Sequence, residues 1–83
     1  MTLQARMTVL ACLAVALAPH IRVNAVAPGM LDPPGAEETV RRRIPAGRFG
    51  THAEVIEAIL FLLAGGSYTT GEVLRVDGGR PLV

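Results

Sequence analysis

Four patterned apolar stretches run along this chain, separated by turns. From Met1 to Ala18, alanine, leucine, methionine and valine fill nearly every side of a helical projection, the pattern of a helix enclosed between a sheet and a partner. Pro19 ends it, because proline cannot continue the backbone hydrogen bonding. Ile21, Val23 and Val26 then alternate imperfectly with Arg22, Asn24 and Ala25, which predicts a short strand over Ile21 to Val26 largely covered on both faces. Pro28-Gly29 breaks it. Met30 to Gly35 reads as loop, and Ala36 to Ile44 reads as a short exposed helix opened by Glu37 and Glu38 and closed by Arg41-Arg42-Arg43, an order that complements the helix dipole. Thr51 and Glu54 form a capping box, followed at helical spacing by Val55, Ile56, Ile59, Leu60 and Leu63, with Gly65-Gly66 as the stop. Thr69-Thr70-Gly71 turns the chain into a last strand, Val73 to Val76, and Asp77-Gly78-Gly79 turns it out again. Strand, long crossover with helix, strand predicts two parallel neighbours joined by a right-handed connection.

Composition narrows what this α/β pattern serves. At 83 residues, 51% hydrophobic and 18% charged, the chain is one small domain at most and needs something to pack against. The single Cys12 excludes an internal disulfide framework, and two histidines without a second cysteine assemble no metal cluster at recognisable spacing. The reduced cytoplasm is the expected location. Net charge is +1 and aromatics are few, so nucleic-acid binding is not expected, and the three consecutive arginines read as a solvated helix end. The apolar run is too short for a membrane span of about 20 residues. It does permit a second reading: Arg6, the run Met7 to Leu17 and the triplet Ala16-Leu17-Ala18 have the layout of a secretory signal at 1–18, with Pro19 in an unfavourable place after the cut.

The polar residues offer little catalytic chemistry. All eight cationic side chains are arginines, so the chain has no lysine. Tyr68 and Ser67, the only tyrosine and serine, are adjacent in a turn, and the residue four after Tyr68 is Glu72, whose carboxylate would raise a phenol's pKa. Tyr68 is expected to pack beside the last strand as a turn residue. His20 and His52 have no positioned serine or cysteine, and Glu54 and Glu57 read as cap and solvent face.

The ordered motifs Leu17-Ala18-Pro19-His20-Ile21-Arg22-Val23-Asn24-Ala25-Val26-Ala27-Pro28-Gly29, Ile44-Pro45-Ala46-Gly47-Arg48-Phe49-Gly50, Glu54-Val55 leading to Phe61-Leu62-Leu63, Tyr68-Thr69-Thr70-Gly71 and Val76-Asp77-Gly78-Gly79 together resemble the C-terminal third of a short-chain dehydrogenase/reductase. The ending Asp77-Gly78-Gly79-Arg80-Pro81-Leu82 and the proline-containing loop after Pro28-Gly29 are most similar to pteridine-reductase-type members. The resemblance implies a single partial domain over 1–83, the C-terminal part of a Rossmann-type doubly wound NAD(P)-binding domain, and a parent activity of NAD(P)(H)-dependent reduction of a carbonyl or pteridine-like small molecule. It also implies that the backbone of Pro28, Gly29, Met30 and Leu31 lies beside the nicotinamide carboxamide. Such enzymes use a serine, a tyrosine and a lysine together, and a glycine-rich turn for the pyrophosphate. Counting back by the family's spacing puts the lysine at about Leu3 and the tyrosine just before Met1, so no catalytic residue is assigned. A threonine common after the Pro-Gly turn is missing, with Asp32-Pro33-Pro34 in its neighbourhood. The expectations are therefore an inactive fragment that does not bind NAD(P) by itself and self-associates through its apolar helix and strand edge; the alternatives are a non-catalytic interaction module and a small secreted protein.

Overall fold

The computed structural model describes residues 2–31 and 38–79, ordered as α1 (Leu3–Leu17), β1 (Ala25–Pro28), α2 (Glu38–Arg41), α3 (His52–Leu60), a π-helical turn (Phe61–Gly65) and β2 (Val73–Val76). The two strands pair in parallel, Ala25 opposite Val73 through Pro28 opposite Val76, and α3 packs on both. This is the predicted α/β arrangement of an N-terminal helix and two parallel strands with a crossover helix. The expected Asp32-Pro33-Pro34 stretch, Ala36 and Glu37 at the start of a helix, and the ending Arg80-Pro81-Leu82 lie outside the described residues.

The first helix begins where the Thr2 hydroxyl accepts from the Ala5 amide at 3.1 Å and ends where the Ala18 amide reaches the Ala14 carbonyl, just before Pro19. Its enclosure is not met among the described residues. Only Ala14 is buried, whereas Leu3 and Val15 are 73% and 79% exposed. A sheet of two strands is too narrow to cover a helix that is apolar all round; Ala5 and Leu10 are half-buried, and the closest approach is at Ala14, where a Cβ on Gly71 would lie 3.4 Å from that of Ala14.

The first ladder is displaced toward the C-terminus from the expected Ile21 to Val26, and that segment is less covered than its pattern implies: Ile21 is exposed and Arg22 to Val26 are half-buried. Opposite Arg22 to Asn24 lies a loop, not a strand. There the Val23 amide donates to the Thr70 hydroxyl and the Val23 carbonyl accepts from the Gly71 amide at 2.7 Å. Asn24 donates through Nδ2 to the Thr69 carbonyl and accepts at Oδ1 from the Glu72 amide, and the regular ladder starts only with Ala25 donating to Glu72. Pro28 is tolerated as the last ladder residue because its nitrogen faces away from β2.

The second helix is shorter than its pattern, since after Arg41 the chain tightens into turns in which Arg43 donates to the Val40 carbonyl and Ile44 to that of Arg41. Glu38 pairs with Arg41 at 3.1 Å and Arg42 at 3.6 Å, as the charge order predicts. Among the described residues, Ile44, Phe49, Leu62 and Ala14 are the buried apolar ones. The third helix opens with the expected capping box and ends not as a simple α-helix but in the π-helical turn, where the Gly66 amide donates five residues back to the Phe61 carbonyl at 2.7 Å.

Candidate functional site

Pro28, Gly29, Met30 and Leu31 leave the carboxyl end of β1 beside Asp77 and Gly78, which leave the carboxyl end of β2, and the structure brings Gly50 to the same place. Carboxyl ends of parallel strands are where open α/β sheets present ligand crevices. The Gly29 amide donates to the Val76 carbonyl at 2.8 Å, and the Met30 carbonyl accepts from the Gly50 amide at 3.0 Å. The side chain of Asp77 turns back, its Oδ1 accepting from the Gly79 amide at 2.9 Å. A recess of about 110 Å3 at this end is lined by Ala46, Arg48, Gly50, Glu54, Val76, Asp77 and Gly78.

The strongest electrostatic feature here escaped the sequence reading. Arg48 and Glu54 form a two-point pair, Nη1 to Oε1 at 2.8 Å and Nη2 to Oε2 at 2.7 Å, while Glu54 also accepts from the Thr51 amide at 3.0 Å. The Arg48 guanidinium, then the Thr51 amide, hold the Glu54 carboxyl down to about 2, and Arg48 is held protonated in turn. Six residues apart across a turn, the pair has no periodicity that would announce it. Because the folded-state pKa lies below the unfolded one, the stability Glu54 contributes is complete above pH about 4.5 and is lost as pH falls toward about 2. Thermal unfolding followed from pH 7 to pH 2 is expected to show that acid loss in the native sequence and a smaller one in Glu54→Gln.

The other polar candidates stay apart. Tyr68 does not pack beside β2. It is 103% exposed, because the tight turn closed by the Thr69 amide on the Gly66 carbonyl throws its side chain outward. Ser67, His20, His52 and Glu57 are also exposed, and no group of three or more potential metal ligands occurs among the described residues. Arg22 makes four hydrogen bonds, all to backbone: Nη1 donates to the carbonyls of Gly66 and Thr69, and Nη2 to those of Leu62 and Leu63.

The family model described as enoyl-(acyl carrier protein) reductase matches residues 4–80. The chain belongs to the short-chain dehydrogenase/reductase family. It is 50% identical over 68 residues to the 3-oxoacyl-acyl-carrier-protein reductase FabG of Thermotoga maritima, covering 72% of this chain and 28% of that protein. It is 52% identical over 68 residues to carbonyl reductase family member 4 of Danio rerio, covering 77% and 28%. A crystal structure described as a short-chain dehydrogenase/reductase from Burkholderia xenovorans superposes with a TM-score of 0.87 at 40% identity, covering 96% of this chain and 32% of that one. The chain thus spans about a third of the length of the relatives it matches.

A dinucleotide of the kind this family implies fits the described residues only in part. The turn at Pro28 to Leu31 presents backbone, which suits a carboxamide. Gly29, however, owes its missing side chain to Asp77, since a Cβ there would lie 2.7 Å from both Asp77 Cα and Cβ. The nearby helix start, otherwise suited to a phosphate, already holds the protein's own Glu54 carboxylate in its capping box.

Proposed function

We propose that the chain is the C-terminal segment of an NAD(P)(H)-dependent reductase of carbonyl compounds, and that the 83 residues alone do not turn over. The observation that carries this reading is the parallel pair β1–β2 with Pro28-Gly29 and Asp77-Gly78 converging at one end, on a chain whose relatives are named for reducing 3-oxoacyl and carbonyl groups. A pteridine-like substrate is the narrower version, supported by the motif that begins at Asp77-Gly78-Gly79. In the whole enzyme, a bound NAD(P)H would supply the hydride for reduction of a carbonyl carbon. The role assigned to this chain is to hold Pro28 to Leu31 beside the nicotinamide, through the Gly29–Val76 and Met30–Gly50 bonds.

The purified chain is expected to oxidise no NAD(P)H with carbonyl or pterin substrates, having neither a lysine nor a tyrosine with a lysine four residues on. Grafting its matched residues in place of the corresponding segment of the Thermotoga maritima relative is expected to retain carbonyl reduction. A folded graft without reductase activity overturns the reading, as does turnover by the isolated chain that is lost on Tyr68→Phe.

A second reading, a non-catalytic interaction module, is favoured by the exposure of α1, whose residues Ala11, Cys12, Val15 and Ala16 line a wholly apolar depression. We assign this helix to self-association, which apolar burial at roughly 25 cal/mol per Å2 drives. Sedimentation is expected to show concentration-dependent oligomers, and Val15→Glu to reduce them. We place the protein in the cytoplasm, consistent with one free, exposed thiol; no helix among the described residues is long and apolar enough to cross a membrane.

A further inference from the structure

The peptide that joins Phe49 to Gly50 is held on both sides. Its carbonyl accepts from Arg48 Nη1 at 3.2 Å, and its N–H, that of Gly50, donates to the Met30 carbonyl at 3.0 Å. In a planar trans peptide these two groups point in opposite directions, so whatever fixes the carbonyl also aims the N–H. Arg48 is fixed in turn by its two-point pair with Glu54, and Glu54 by the Thr51 amide and hydroxyl at 3.0 and 3.2 Å. On the far side of the linkage Leu31 pairs in parallel with Gly50. In that pattern the bonds to Gly50 come from the neighbours of Leu31, which turns the N–H and C=O of Leu31 itself to the opposite side. A carboxamide lying there would meet one donor and one acceptor.

We propose that Arg48 and Glu54 are positioning residues for the nicotinamide end of the cofactor: the pair orients the Phe49–Gly50 peptide, and Gly50 thereby holds Met30 and Leu31 in the conformation that receives the carboxamide. The inference rests on the reading of this chain as part of an NAD(P)(H)-dependent reductase. Stability alone is a weak account of the arrangement. The Arg48 side chain is 60% exposed, and exposed pairs contribute little to folding, whereas a two-point guanidinium–carboxylate contact fixes direction. Burial is supplied next door, where the Phe49 ring is buried with the Arg41 guanidinium 5.9 Å from its centroid. That ring anchors the segment, and Arg48 sets the tilt of the peptide that follows it. Both charged residues act through backbone, so their effect falls on the cofactor and not on the carbonyl substrate.

The first measurement needs no cofactor: amide hydrogen exchange in the 83-residue chain. In Arg48→Met the Gly50 amide is expected to exchange about tenfold faster, while the Gly29 amide, bonded to Val76, keeps its native rate. The second uses the graft of the 68 matched residues in the Thermotoga maritima relative. There Arg48→Met and Glu54→Gln are expected to raise KM for NAD(P)H about tenfold, the equivalent of one lost hydrogen bond, and to leave KM for the carbonyl substrate within about twofold. A substitution that merely lowers the folded fraction reduces kcat and leaves both KM values. Arg48→Lys is expected to stay closer to Arg48→Met than to the native chain, because one ammonium cannot hold the Phe49 carbonyl and both carboxylate oxygens. Glu38→Gln, which breaks the exposed pairs of α2, is the control and is expected to change neither readout. The proposal is overturned by a Gly50 rate that does not change or rises together with that of Gly29, by an unchanged KM for NAD(P)H, by full rescue in Arg48→Lys, or by an equal effect of Glu38→Gln. An unsubstituted graft without reductase activity is a different outcome: it overturns the reading of the chain as part of a reductase, and the assignment to a cofactor with it, whatever the Gly50 rates.

Discussion

Replacing Gly29 by alanine is expected to lower the stability of the chain by about 2–3 kcal/mol, the upper range for overpacking a close contact. The added carbon would lie 2.7 Å from both Asp77 Cα and Asp77 Cβ. One of these is backbone, so no rotamer change relieves the overlap and the ends of β1 and β2 must separate. The Gly29–Val76 hydrogen bond and the Met30–Gly50 contact beyond it are the first to be strained. Gly47→Ala is the control: that glycine sits at φ 77 with nothing within 4 Å of the added carbon, so only conformational strain of about 1 kcal/mol is expected. Urea unfolding of the two variants separates the effects, and equal midpoints would refute the packing argument.

Arg22→Met is expected to cost roughly 1.5–3 kcal/mol, since it removes a charged donor from the part-buried carbonyls of Leu62, Gly66 and Thr69, although Gly66 keeps the Thr69 amide and Thr69 keeps Asn24 Nδ2. Against a stability of about 4–12 kcal/mol for a chain of this size, that loss populates unfolded molecules measurably. Arg22→Lys is expected to recover only a fraction, because a single ammonium cannot span carbonyls from Leu62 to Thr69 in the way the guanidinium fork does. Hydrogen exchange provides the local readout. Protection of the Gly66 and Thr69 amides should fall in both variants, and a lysine variant with native protection would show that charge alone suffices.

Local chemistry made part of the fold legible. The Thr51 and Glu54 capping box and the parallel arrangement of two strands about a crossover helix follow from residue types at fixed spacing, and the structure contains both. The position of the first ladder did not follow, because Arg22 and Asn24 look like the polar half of a strand pattern while their side chains satisfy the backbone of the neighbouring loop. Nor did the π-helical turn, since Leu60-Phe61-Leu62-Leu63 continues an apolar helical run and only the fold shows Arg22 capturing its carbonyls. At the site, Pro28-Gly29 was readable as a strand end. That Gly29 is shaped by Asp77, 48 positions later, depends on a tertiary contact no spacing rule contains.

The parallel pairing has a consequence for biosynthesis. The partners Asn24 and Glu72 are 48 residues apart, and closing a loop of that length costs roughly 3 kcal/mol before any ladder bond compensates. During synthesis α1 emerges before both strands, and it waits for β2 before the β1–β2 pair exists. Its early lifetime is therefore the period of greatest exposure to chaperones and to aggregation. Slowing elongation between Arg48 and Val73 should lengthen that period and lower the soluble yield without changing a single residue.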